Sequence, residues 1–226
     1  MSKYHLLITC EHAGNSIPDE FRAYFVNHQK ELEDHTGWDP GAWEIAKHLA
    51  KEFKVKPFSM HTSRLLIEPN RSLDHRQLFS AITNAFTPKQ KQQLINTVYL
   101  PYRNQVEDRI RSSPKPVLHL SIHSFTPVLH QVTREVDIGL LFDPARNEES
   151  SFCSALRTNL EEAAPDLRHR FNEPYLGVDD GFTTYLRTRF PDKGYLGIEI
   201  EVNQRFASNP IPIAELLSKS ISRTTG

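Results

Sequence analysis

Two histidines stand just after short apolar runs that lie far apart in the chain. His12 follows Leu6-Leu7-Ile8-Thr9-Cys10 and Glu11, and small residues, Ala13-Gly14, come next. His123 follows Leu118-His119-Leu120-Ser121-Ile122. Ligands of open α/β sheets sit beyond the carboxyl ends of strands, so a histidine at such an end is a metal-ligand candidate. A histidine that only ties down a turn would look the same. Asp39-Pro40 precedes a helical pattern, and N-capping explains an aspartate there. The same carboxylate could also complete a His/His/carboxylate set with an open position, the plan of a catalytic zinc site. The chain has no His-Glu-x-x-His helix and no Cys-x-x-Cys pair, so spacing alone leaves the matter open.

Carboxylates interrupt a second run. In Tyr195-Leu196-Gly197-Ile198-Glu199-Ile200-Glu201-Val202, Glu199 and Glu201 share one face of a strand. On an exposed edge they are harmless. Buried, they cost several kcal/mol unless paired or metal-bound, and then they are general acid/base candidates. Asn70-Arg71, after the polar stretch Ser63-Arg64-Leu65-Leu66-Ile67-Glu68-Pro69, sets an amide beside a planar guanidinium. That pair suits a carboxylate ligand, although Pro69-Asn70 is also turn-like in its own right. Gly-x-Ser-x-Gly, Gly-x-Gly-x-x-Gly and Walker sequences are absent. Serine-hydrolase and nucleotide-binding chemistry are therefore unsupported. Cys10 points into the core by alternation, so it is no nucleophile.

The elements that must position these groups alternate in type. Leu6–Cys10, Leu118–Ile122, Ile138–Phe142 and Tyr195–Val202 read as buried strands, with weaker strands near Val55–Met60 and Leu65–Glu68. Apolar residues at 42, 45, 46, 49 and 53 predict an amphipathic helix capped by Asp39. Pro88 to Ser112 predicts one long helix or two, interrupted near Pro101. Helices are also expected over Glu148–Ala163, Asp179–Arg189 and Ile211–Ser222. The alternation predicts a single α/β domain over 1–226, around a mixed or mostly parallel sheet.

Composition agrees with an ordinary soluble protein. The 226 residues carry 27 Lys+Arg against 28 Asp+Glu, a net charge of −1, which excludes the basic footprint of a nucleic-acid binder. No apolar run approaches the roughly 20 residues that span a bilayer, and no signal-peptide pattern opens the chain. Two cysteines, Cys10 and Cys153, imply no disulfide framework, so a reducing cytoplasm is the expected location. Histidine is the unusual count, at 11.

Taken together, Thr9-Cys10-Glu11-His12-Ala13-Gly14-Asn15, Ser63-Arg64-Leu65 with Asn70-Arg71, His123-Ser124-Phe125-Thr126-Pro127, Asn172-Glu173-Pro174-Tyr175 and Gly197-Ile198-Glu199-Ile200-Glu201 resemble the motifs of the N-formylglutamate amidohydrolase family, in that family's order. The chain departs from the commoner form of the family in carrying Cys-Glu-His where Pro-His is usual. The resemblance implies a three-layer α/β/α fold like that of the zinc carboxypeptidases. It also implies a hydrolase with one Zn2+ per chain, acting on a small N-acyl amino acid. His12 and His123 match metal-ligand positions. The third ligand is either Asn15, the place the carboxypeptidases use, or Asp39, the place cell-wall amidases use, and Asp39 is preferred. Glu68 matches the acid that orients the first histidine. Asn70 and Arg71 match the pair that grips the substrate carboxylate, and Arg64 is expected beside the oxyanion. Glu201 is the expected general base, with Glu199 the competing alignment.

N-formyl-L-glutamate, cleaved to formate and L-glutamate, is the implied substrate. A related hydrolase acting on another N-acyl amino acid or a short peptide is the alternative. A metal-free module that only binds carboxylates is a third reading. Two ring nitrogens bound to one ion at ~2.1 Å each must lie within about 5 Å of one another, which any structure can check.

Overall fold

Apolar runs become strands where both of their faces can be buried. The computed structural model describes residues 3–226. Its strands are β1 (His5–Cys10), β2 (Phe58–Ser59), β3 (Val117–Phe125), β4 (Val128–Leu129), β5 (Val132–Thr133), β6 (Ile138–Leu141), β7 (His169–Phe171) and β8 (Tyr195–Asn203). Its α-helices are α1 (Gln29–Glu33), α2 (Ala42–Glu52), α3 (Ala81–Asn84), α4 (Pro88–Leu94), α5 (Leu100–Arg111), α6 (Asn147–Ala163), α7 (Phe182–Arg189) and α8 (Ile211–Thr225). Six strands form one mixed, mostly parallel sheet in the order β2-β1-β3-β8-β6-β7. β6 runs antiparallel to β8, and every other pairing in this sheet is parallel. β4 and β5 make a separate hairpin beyond the end of β3.

Every residue of β3 and β8 is buried, as expected of strands covered on both sides. The two faces differ sharply. Leu118, Leu120 and Ile122 of β3 join Leu196, Ile198, Ile200 and Val202 of β8 in one apolar layer under α2, α6 and α8. On the other face the strands begin apolar, where Val117 and Tyr195 pack with Tyr102, Val106 and Ile110 of α5 and Phe182 and Leu186 of α7, and β3 ends apolar at Phe125. Further along that face come His119, Ser121 and His123 on β3, paired in register with Gly197, Glu199 and Glu201 on β8. The sheet is thus a central layer between helices, greasy on one side and polar toward the strand ends on the other. Among the described residues, no helix is long and apolar enough to cross a membrane.

Several local expectations need correction. β3 continues through His123 to Phe125, so His123 lies within the strand rather than beyond its tip. Leu65–Glu68 is not a strand. Leu66 N bonds Ser63 O in a turn, and Leu66 and Ile67 bury themselves against Phe21, Phe25, Leu94 and Tyr99 instead of joining the sheet. Helix α7 begins at Phe182, not Asp179, because the Asp180 carboxylate accepts bonds from Ser72 N (2.9 Å) and the Ser72 hydroxyl. Between α4 and α5, Ile95–Tyr99 forms a π-helical turn just before Pro101. Proline lacks an N–H and its ring crowds the carbonyl four residues back, so a widened turn carries the helix past it without a break. β7 was not visible to periodicity, being only three residues long.

The start of α2 departs from the expected cap. Asp39 does not cap the helix with its side chain. The N-cap is Gly41, in the left-handed region at φ 83°, and no side chain bonds the first turn. Only the Asp39 carbonyl takes part, accepting from Ala42 N at 3.1 Å. The Asp39 carboxylate is left free to turn inward.

Candidate active site

β1 and β3 bring the two histidines side by side. Thr9 pairs with Ser121, and the chain just beyond β1 carries His12 to the neighbourhood of His123, with ring centroids 4.9 Å apart. The Asp39 carboxylate enters between them. Its Oδ2 lies 3.2 Å from His12 Nδ1 and 2.9 Å from His123 Nδ1, and also accepts from Ser124 N at 3.3 Å. The three ligand atoms lie within 4.8 Å of one another, and all three residues are buried. This is a set that could hold a metal ion. Asn15 is elsewhere, donating its amide to Leu32 O at 2.8 Å.

The outward nitrogens of both rings are fixed by buried carboxylates. His12 Nε2 donates to Glu68 Oε1 at 2.5 Å, and His123 Nε2 faces Glu11 Oε2 at 3.1 Å. With Nε2–H engaged, the inward nitrogen of each ring is Nδ1, which faces Asp39 and would offer its lone pair to a metal once its own proton is given up. Glu68 is braced by Arg64, whose Nε donates to Oε2 at 2.6 Å, while Arg64 Nη1 reaches Asp39 Oδ1 at 3.3 Å. Glu11 is fully buried and accepts from Tyr102 OH at 2.7 Å and Ser121 Oγ at 2.5 Å. Glu11 stood beside His12 in the sequence, yet its role was missed. Its position next to a histidine and one residue past a buried strand was the available signal. The partner, His123, is more than a hundred residues away and could not be read locally.

Burial and charge set the protonation of the cluster. Burial alone would raise the carboxyl pKa values of Asp39, Glu68 and Glu11. The neighbouring His12 and His123, with Arg64 beside Glu68, overcome it and hold all three below the usual carboxylate range. Conversely, burial and Arg64 depress His12, but Glu68 and Asp39 win and raise it. Burial likewise opposes the charged form of His123, and its bonds to Asp39 and Glu11 push its pKa well up.

Glu201 behaves differently. It is buried, its Oε2 has no hydrogen-bond partner among the described residues, and burial pushes its pKa up to about 7. Its strand neighbour across the ladder is Gly139, where a Cβ would stand 2.0 Å from Glu173 O, so only glycine fits there. β8 is a central strand, so the edge explanation for the Glu199/Glu201 pair fails. Glu199 accepts from the Thr183 hydroxyl of α7, a contact that only the packed structure reveals.

His12, Asp39, His123, Glu199, Glu201, Arg64, Asn70 and Arg71 all border one cavity of about 150 Å³. That volume is small beside the ~300–1,000 Å³ of drug-sized ligand pockets. Asn70 receives Phe182 N on its Oδ1 at 2.6 Å, and Arg71 Nη1 donates to Asn70 O and Asp180 O at 2.9 and 2.7 Å. Tyr175 and Leu176 complete part of the wall.

Residues 4–207 match the family model described as N-formylglutamate amidohydrolase. The chain belongs to the N-formylglutamate amidohydrolase family. Among solved structures, gene product Atu2144 from Agrobacterium tumefaciens has a TM-score of 0.83 and 26% identity, over 99% of this chain and 91% of that one. The catalytic domain of the CD27L endolysin targeting Clostridia Difficile has a TM-score of 0.43 and 10% identity, over 97% and 95% of the two chains. A metallo-carboxypeptidase from Burkholderia cenocepacia also has a TM-score of 0.43, with 12% identity over 99% and 57%. No match is found among curated proteins. Within the N-formylglutamate amidohydrolase family match lie both histidines, Asp39, the Asn70-Arg71 pair and both glutamates of β8.

Proposed function

We propose that this protein is a metal-dependent amidohydrolase that cleaves N-formyl-L-glutamate to formate and L-glutamate. The observation that carries the reading is the convergence of His12, Asp39 and His123, whose ligand atoms lie within 4.8 Å and whose Nδ1 atoms both face Asp39 Oδ2, next to a buried carboxyl with an unpartnered oxygen. Two nitrogens and one carboxylate oxygen make a donor set that fits zinc. Both imidazoles aim at the same Asp39 oxygen, so one divalent charge can replace the two protons they would otherwise need. When bound, such an ion supplies Lewis acidity to water and to the amide carbonyl.

The chain's own residues do the rest. Glu201 Oε2 takes a proton from the attacking water, whose oxygen bonds to the formyl carbon. As the C–N bond breaks, Glu201 returns the proton to the departing amine. A carboxyl titrating near neutrality is suited to both directions of transfer. Glu199, held by Thr183, keeps a second negative charge nearby and disfavours ionisation of Glu201. Arg71 and Asn70 hold the α-carboxylate. Arg64 is committed to Glu68 and Asp39, and from there it lends positive charge to the side of the cavity where the oxyanion develops. Small cavity volume supports a small-molecule substrate. Two buried free cysteines, Cys10 and Cys153, support a cytoplasmic location.

The test is turnover by purified protein before and after chelation and zinc addition, across N-formyl, N-acetyl and peptidyl glutamates. Zinc-restored release of formate, fastest with N-formyl-L-glutamate, is expected. Faster cleavage of a peptide would reject the formyl substrate, and activity unaffected by chelation would reject the metal.

A further inference from the structure

N-formyl-L-glutamate carries two carboxylates, and the cavity so far accounts for one. Arg64 is saturated, its Nε and Nη2 on Glu68 and its Nη1 on Asp39. Arg71 bonds only carbonyl oxygens and keeps its full charge for a ligand. The side-chain carboxylate therefore needs another cation, or it faces Asp179, Asp180 and Glu199 unaided.

Arg134 supplies it. Its Nη1 donates to Tyr175 OH at 3.0 Å, and Tyr175 lines the cavity. The guanidinium lies over two rings, with its central carbon 5.1 Å from the Tyr175 centroid and 5.6 Å from that of Phe125. Phe125 follows His123 by two residues on β3, so it faces the same side of the sheet as the site. The backbone of Arg134 is pinned as well, its N–H to Pro127 O at 2.8 Å and its carbonyl to the Asn203 amide at 3.4 Å. No carboxylate among the described residues pairs with it. A half-buried arginine stacked on two rings, with its fork unneutralised, is prepared for an external anion rather than for stability. Residues 175–180 connect the two free guanidiniums, since Tyr175 holds Arg134 and Asp180 O holds Arg71.

We infer that Arg134 is a specificity residue, receiving the side-chain carboxylate of a dicarboxylic N-acyl amino acid whose α-carboxylate rests on Arg71. The inference rests on the amidohydrolase reading above, and the experiment separates the two. N-formyl-L-glutamate and its uncharged analogue N-formyl-L-glutamine are compared on the zinc-loaded wild type and on R134Q. One charged, bidentate contact corresponds to about tenfold or more. Wild type should favour glutamate by at least that factor in kcat/KM. R134Q should lose most of the preference through KM for glutamate, leaving glutamine within about twofold of wild type. R134K keeps the charge without the planar fork and should fall between them.

Equal losses on both substrates, or a wild type indifferent to the charge, overturn the inference while leaving the reaction intact. Equilibrium binding of the same two compounds to E201Q, with and without R134Q, covers the converse case. Charge-selective binding that depends on Arg134, without wild-type turnover, upholds the inference and rejects the reaction. Neither turnover nor charge-selective binding rejects both.

Discussion

Glu201 and Glu11 are both buried carboxyls near His123, yet their surroundings push them in opposite directions. Glu11 receives three polar hydrogens' worth of contact from Tyr102, Ser121 and His123 and stays ionised. Glu201 leaves one oxygen unpaired and rises to about 7. Glu201→Gln should therefore lower kcat by about 10²–10⁴-fold, the usual weight of a positioned acid/base, while zinc stoichiometry by metal analysis stays unchanged. Glu11→Gln should leave the first coordination set in place but weaken zinc affinity by about 10–100-fold, read by chelator competition. An unchanged affinity would reduce Glu11 to a packing residue. Arg71→Lys should raise KM more than it lowers kcat, since the planar fork is lost but the charge is kept. An unaltered KM would remove Arg71 from the substrate site.

At the scale of elements, the junction between the first loop and α2 carries Asp39 to the two histidines. Gly41 adopts φ 83° and sits so close to Ala207 that an added Cβ would lie 3.0 Å from its Cα. This bend leaves the helix start without a side-chain cap and lets the Asp39 carboxylate point at the histidines. Gly41→Ala should cost about 1–2 kcal/mol of stability from the left-handed backbone alone, measured by denaturant unfolding. It should weaken zinc binding too, because any relief of strain moves Asp39. Loss of stability with full zinc affinity would show that the junction supports the fold without positioning the ligand. The helix pattern over residues 42–53 was legible because amphipathic spacing is local. The capping role read for Asp39 was not correct, because a carboxylate before a helix can turn either way, and here His12, His123 and Arg64 outcompete the first-turn N–H groups.

For the whole molecule, the titration of Glu201 links function to stability. Its carboxyl titrates near 4.5 in an ordinary setting and about 7 here, so the folded chain holds a proton that the unfolded chain has released. The stabilising contribution of that proton is complete below about 4.5 and lost as pH rises through 7. In zinc-free protein, E201Q should melt higher than wild type at pH 8, with the gap closing toward pH 5. The catalytic profile should mirror this. kcat/KM should fall on the acid side with an apparent pKa at or below 7, since a bound cation favours the carboxylate, and E201Q should lack that limb.

Composition, alternation and period determined much of this protein by themselves: the α/β class, most strands and helices, the shared face of Glu199 and Glu201, and the residue types able to bind a metal and a carboxylate. These follow from burial patterns repeating over two or 3.6 residues, which any short stretch of chain displays. Only tertiary structure decided that β8 is central, that Glu11 meets His123, that Asp39 rather than Asn15 joins the histidines, and that Arg134 stands over Tyr175. Each depends on strand order, register or a loop's direction, and those are settled by contacts between residues tens to more than a hundred positions apart, which no local period records.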